Sequence, residues 1–143
     1  MSLSAGLALQ KMIVARLKAD AAVAALVAAR IHDAVPQGVT FPFIEFSSAQ
    51  ENDESAACMN EAVEVFLDLH VWTRPDGGPS SVQALRIAEA VKASLHNPEP
   101  LPDLTGGWAL SLIERRSVRT LGDPDGKTAR AVITLRALIE KDN

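Results

Sequence analysis

The chain has 143 residues, 48% of them hydrophobic and 22% charged, with 14 Lys and Arg against 18 Asp and Glu for a formal net charge of −4. That length suits one domain over residues 1–143, and the composition excludes a disordered or collagen-like chain. The acidic balance excludes a nucleic-acid binder held by bulk charge, and Cys58, the only cysteine, excludes an intramolecular disulfide and a cysteine zinc cluster.

A lone cysteine is compatible with a reducing cytosol. No 18-residue apolar run is free of charge, so no membrane-spanning segment is expected. The Ala- and Leu-rich start is interrupted by Lys11, Arg16, Lys18 and Asp20, unlike the unbroken apolar stretch of a signal peptide. With two Trp, four Phe and no Tyr, the core must be filled mainly by Ala, Val, Leu and Ile.

Residues 3–19 carry a helical period that gathers Leu3, Leu7, Ile13, Val14 and Leu17 on one face, with Met12, Ala15 and Arg16 opposite. Asp20 suits the N-cap of a short Ala-rich helix over residues 21–29. A short extended piece over residues 30–34 leads to a turn at Pro36-Gln37-Gly38. Residues 41–46 read as a strand beginning at a proline, where a missing N–H is tolerated. The polar, acidic residues 50–61 read as a loop.

From Ala62 to Thr73 the alternation is clean. Val63, Val65, Leu67, Leu69 and Val71 point one way, and Glu64, Phe66, Asp68, His70 and Trp72 the other. Such a strand extends about 40 Å. Residues 74–79 form a loop, and Ser80 with Gln83 makes a capping-box start to a helix ending near His96. Its apolar face is Ala84, Ile87, Ala88, Val91 and Leu95. The proline-rich residues 97–102 stop it.

Two further strands follow, over residues 108–121 and 128–140, joined by a turn at Asp123-Pro124-Asp125-Gly126 into a hairpin. The first loses its alternation at Glu114-Arg115-Arg116, which predicts a bulge. Together these elements predict an α+β fold: an antiparallel sheet of about four to five strands with helices packed on one face.

Catalytic patterns fail one by one. His32, His70 and His96 sit on unrelated elements without metal-ligand spacing. Counted from Asp123, a calcium loop would need Gly and Glu where Thr128 and Thr134 stand. Gly77-Gly78 precedes a helix without the Lys of a phosphate loop. No nucleophile elbow occurs, and Cys58 lies in an acidic segment that disfavours its thiolate. No enzyme activity, metal or cofactor is expected.

What remains is surface that a lone subunit would not need. Phe66 and Trp72 lie on the less apolar face of the 62–73 strand. Arg115, Arg116, Arg119, Arg130 and Arg136 make the last hairpin basic, whereas Glu51, Asp53, Glu54, Glu61 and Glu64 make residues 51–64 acidic. Opposite charges on separate elements suit head-to-tail contact between copies, or pairing within one subunit. The candidate interface residues are Glu51, Asp53, Glu54, Phe66, Trp72, Arg115, Arg116 and Arg119. A small bacterial module binding one protein partner through the mixed 62–73 face is the alternative reading.

Several blocks, in order, carry a resemblance: Val35-Pro36-Gln37-Gly38, Phe41-Pro42-Phe43-Ile44, Leu69-His70-Val71-Trp72-Thr73-Arg74, residues 119–130 from Arg119 to Arg130, and Arg136-Ala137-Leu138-Ile139-Glu140. By these the chain resembles the tail-completion, or tail-terminator, family of long-tailed phages, prophages and gene transfer agents. The resemblance implies a small α+β subunit forming a ring, usually hexameric, at the head-proximal end of the tail tube. It implies that the ring ends tube polymerisation and joins the tail to the head connector. The implied partners are the chain itself, the tail-tube protein and a head-connector protein. DNA would pass through without specific binding, and no membrane is involved. Its implied place is the host cytoplasm during assembly, then the particle tail. No catalytic residue carries over from such a family.

Overall fold

The computed structural model describes residues 4–53, 61–75 and 81–141. Helix α1 spans Ala5–Ala19, and the Ser4 hydroxyl at its N-cap accepts from Leu7 N at 3.1 Å. Asp20 ends α1 and starts α2, Ala21–Val27, its carboxylate accepting from Ala22 N and Val23 N at 2.9 and 3.2 Å. One such cap contributes about 1 kcal/mol. The α2 helix ends at Ala28, which takes φ 55° and ψ −129°, a conformation that suits glycine better than alanine.

Strands β1 (Ile31–His32), β2 (Phe43–Asp53) and β3 (Ala62–Thr73) follow, then α3 (Ser81–Leu95), β4 (Trp108–Gly122) and β5 (Ala129–Lys141). The sheet order is β1-β2-β3-β5-β4. The fold is α+β as predicted, but the sheet is mixed: β1 pairs parallel with β2, and the other three ladders are antiparallel. The path from β3 through α3 to β4 therefore joins two strands of the same direction, with β5 inserted between them. A helix is the usual means of making such a crossover.

The core lies between the helices and one face of this sheet. Val63, Val65, Leu67, Leu69 and Val71 of β3 and Ala131, Ile133, Leu135, Ala137 and Ile139 of β5 are all buried there. Ala84, Ile87, Ala88, Val91 and Leu95 of α3 pack into the same cluster, as their spacing predicts. The inward face of α1 differs from expectation. Ala5, Ala8, Leu9, Met12, Ile13 and Leu17 are buried, while Leu7 is 44% exposed. Small alanines let the α1 backbone approach its neighbours, so the contact face follows them rather than the large residues alone. The predicted Leu3 lies outside the described residues.

Strand β2 is longer at its C-terminal end than the sequence suggests, and begins at Phe43 rather than residue 41. Gln50 to Asp53, read as loop, pair with Phe66 to Val63 of β3. Their side chains are mostly exposed, so neighbouring backbone, not burial, holds them extended. The β3 and α3 boundaries agree closely with expectation, as do those of the hairpin strands β4 and β5. Register shifts at Leu110/Leu112 and Arg115/Ser117 include the predicted bulge. The capping-box residue Ser80, most of the preceding loop and Cys58 fall outside the described residues.

Candidate functional site

Because side chains alternate along a strand, the sheet face without helices collects one residue in two from each strand. Register places Glu64, Phe66, Asp68, His70 and Trp72 of β3 there, beside Glu45, Gln50 and Asn52 of β2. Arg130, Thr134 and Arg136 of β5 lie on their other side, and Glu114, Ser117 and Arg119 of β4 beyond.

Much of this face is bonded within the chain. Arg136 Nε donates to Glu64 at 2.7 Å, and its Nη1 to Glu114 at 3.3 Å. Asn52 also donates to Glu64, at 3.4 Å. The Arg136 hydrogen bond is the main cause holding the Glu64 carboxyl below the usual range; partial burial opposes it. Thr134 and Ser48 both donate to Asp68, at 2.8 and 3.3 Å. Burial is the main cause lowering the His70 pKa, reinforced by Arg130 and opposed by Glu45 and Asp68.

Trp72 is fixed on several sides. Its indole N–H donates to Glu45 at 2.9 Å, Arg130 lies 4.8 Å above its ring, and Phe43 stacks at 6.3 Å. Phe66 is half-buried between Gln50 and Arg136 in register. Both aromatics thus share the helix-free face, as their alternation predicts.

The predicted charged residues separate. Arg115 lies on the helix side, where its guanidinium meets Glu89 at 3.1 Å and its N–H donates to His96 Nδ1 at 3.0 Å. Arg116, in the bulge, pairs with Glu114 at 3.3 Å and is 56% exposed at its side chain. Arg119 is exposed on the helix-free face, with no side-chain bond among the described residues. Glu51 lies on the helix side, accepting from Gly6 N at 2.9 Å. A Cβ at Gly6 would meet the Glu51 carboxyl carbon at 3.0 Å, so glycine permits this approach. Asp53 is exposed on the same side of β2. Glu54 lies outside the described residues. The structure therefore does not bring the seven described candidates together: Glu51 and Asp53 lie on β2, Phe66 and Trp72 on the central strand β3, and Arg115, Arg116 and Arg119 on β4, divided between the two faces of the sheet.

Sequence reasoning missed the Glu64–Arg136–Glu114 cluster, because only the strand order sets β5 between β3 and β4. The hairpin turn is also built by side chains. Asp125 accepts from Lys127 N, Thr128 N and Thr128 Oγ1 at 2.8, 2.9 and 2.7 Å. Those bonds, the one from Lys127 first, lower its pKa to about 2.

A cleft of about 810 Å³ runs between α1 and the C-terminal end of α3, lined in part by Lys11, Met12, Arg16, Ser94 and Asp103. Arg16 Nε is engaged by the Ser94 carbonyl at 2.7 Å. This set offers charge but no nucleophile paired with a base. Among the described residues there is no group of three or more metal-ligating side chains. Nor is any described helix long and apolar enough to cross a membrane.

Comparison with known proteins places this geometry. The family model described as "Tail completion protein gp17" matches residues 11–140. Among solved structures, a chain of the "Virion of native gene transfer agent (GTA) particle" is similar, with a TM-score of 0.82 and 24% sequence identity. The similarity covers 97% of this chain and 99% of that one. At that identity the likeness shows the fold. Among curated proteins there is no match.

Proposed function

Because the chain belongs to the Tail completion protein gp17 family, a family of structural phage-tail proteins, we propose that it ends the tail tube of a phage-like particle. In this reading residues 1–143 form one subunit of a homo-oligomeric ring, a hexamer, at the head-proximal end of the tube. The ring stops addition of further tail-tube protein and offers its other side to the head connector. It acts through surfaces and performs no catalysis. Subunits assemble in the host cytoplasm and remain in the particle tail.

The observation that carries the proposal is the family match across residues 11–140. The physical features agree with it. The sheet has two partly open edges of unlike charge, which suits head-to-tail contact between copies. A net charge of −4 gives passing DNA no bulk attraction. Exposed Arg116, Arg119 and Asp53, together with Glu51, Glu54, Arg115 and the half-buried Phe66 and Trp72, are the proposed subunit or tube contacts.

The test is polymerisation of tail-tube protein with and without this chain, followed by electron microscopy. Shorter tubes capped by a ring are expected. Tubes of unchanged length, with the chain remaining a monomer, would refute the proposal and favour a separate protein-binding module.

A further inference from the structure

We propose that neighbouring copies in the ring join by extending the sheet, residues 117–122 of β4 in one copy pairing antiparallel with residues 48–53 of β2 in the next. The proposal rests on the ring reading above.

Both edges of the sheet are half closed. On the β2 edge, β1 covers Ile44 and Glu45, and Arg30 O accepts from Ile44 N at 2.9 Å. On the β4 edge, the end of α3 covers the middle: Asn97 N donates to Ile113 O at 2.9 Å, and Arg115 N to His96 at 3.0 Å. Below that point residues 101–104 lie beside Trp108, Ala109 and Leu110, lining one cavity with them, and a register shift interrupts the strand. Such coverings and bulges are how proteins prevent unwanted edge pairing. Among the described residues, no backbone hydrogen bond or strand covers the β4 edge at 117–122 or the β2 edge at 48–53. Two stretches of matching length therefore stay open, one on each edge, and each is free of an internal register shift.

Their directions also match. The alternation of the ladders makes β4 run with β3 and against β2, so β4 meets the β2 of a similarly oriented neighbour antiparallel. Through the ladders, 117–122 lie level with Asp68 to Thr73 of β3, and 48–53 with Asp68 to Val63. Centring one stretch on the other staggers adjacent copies by about five residues, or ~17 Å. Each copy adds four strands to the continued sheet, a width of about 19 Å. In a closed ring this stagger inclines the strands by about 40°, inside the 35–45° typical of closed sheets.

Charge favours the same pairing. The open part of β4 carries Arg119 with Arg116 beside it, and the open part of β2 carries Glu51 and Asp53. Arg119 is on the helix-free face and the two carboxylates on the helix side. They attract as a field along the edge, over about one Debye length, rather than as direct ion pairs. With matching faces together, Arg119 stands opposite Gln50 or Asn52 of the neighbour.

Hydrogen exchange of the free chain and of the tube-capping ring tests this. Amides in both 48–53 and 117–122 are expected to slow at least tenfold in the ring. Mixing R119C chains with Q50C or N52C chains, each also carrying Cys58→Ser, is expected to give disulfide-linked pairs in the ring. A ring that forms while either stretch exchanges at the free-chain rate, or yields no such cross-link, would overturn edge pairing and leave the ring reading standing. Failure of any ring to form would overturn both.

Discussion

Reversing Arg116 and Arg119 to Glu together should weaken assembly roughly tenfold per contact while leaving the subunit folded. Within one copy the change is mild. Arg116 is 56% exposed; its reversal removes the pair with Glu114 at 3.3 Å, a surface contact worth about 0–1 kcal/mol, and sets a solvated carboxylate near Glu114, which Arg136 still pairs. Arg119 has no side-chain bond to lose among the described residues. Between copies each arginine faces the edge bearing Glu51 and Asp53. At a separation of about 8 Å in a water-like medium, unit charges interact by ~0.5 kcal/mol. Salt at 0.15 M screens this to about 0.2 kcal/mol. Reversal turns the four attractions into repulsions of equal size, a change of about 1.5 kcal/mol, or tenfold. Sedimentation velocity reads the assembled fraction, and circular dichroism checks the fold. At 0.5 M salt, where screening acts within about 4 Å, the difference from the parent chain should shrink from tenfold to about threefold. Unchanged assembly at low salt, or a loss that salt does not alter, would refute the reasoning. Arg115 is not suited to this experiment, because its side chain is only 14% exposed and its reversal would set a half-buried carboxylate against Glu89.

Three other perturbations probe the fold. Ile133→Ala removes a fully buried side chain from β5 at the centre of the cluster and should cost about 3–4 kcal/mol in denaturant unfolding. Ala28→Gly relieves a positive φ of 55° and should gain about 1 kcal/mol, strain relief exceeding the added freedom of the unfolded chain. Asp125 has a folded pKa of about 2 against an ordinary 3.8. Its contribution is thus complete above the ordinary value and lost as pH falls toward about 2. Thermal unfolding of Asp125→Asn should be lower than the parent at pH 5 and depend less on pH below that.

The residues of β3 and β5 made their strands legible because both are buried on one face, so Val63 to Val71 and Ala131 to Ile139 alternate visibly. The α3 helix was legible for the equivalent reason at helical spacing. The second half of β2 was not: Gln50 to Asp53 are held by pairing with β3 and have little burial to leave a pattern. Likewise, β1 is two residues long and parallel, too short for any period. The α1 face was misread because Ala5 and Ala8 contact the core through their smallness. Phe66 and Trp72 could be assigned to one face from alternation alone. The turning of Arg115 toward Glu89 could not, since a bulge shifts the alternation by an amount that sequence does not state. Nor could the Arg136 contacts with Glu64 and Glu114, which depend on β5 lying between β3 and β4.

The most direct test of tube termination is where the chain sits on a tube. Tail-tube protein polymerised with a gold-labelled copy of this chain and imaged by electron microscopy should carry label at one end only, with those tubes no longer able to grow from that end. Label distributed along the tubes, or tubes that keep growing past it, would contradict a terminating ring.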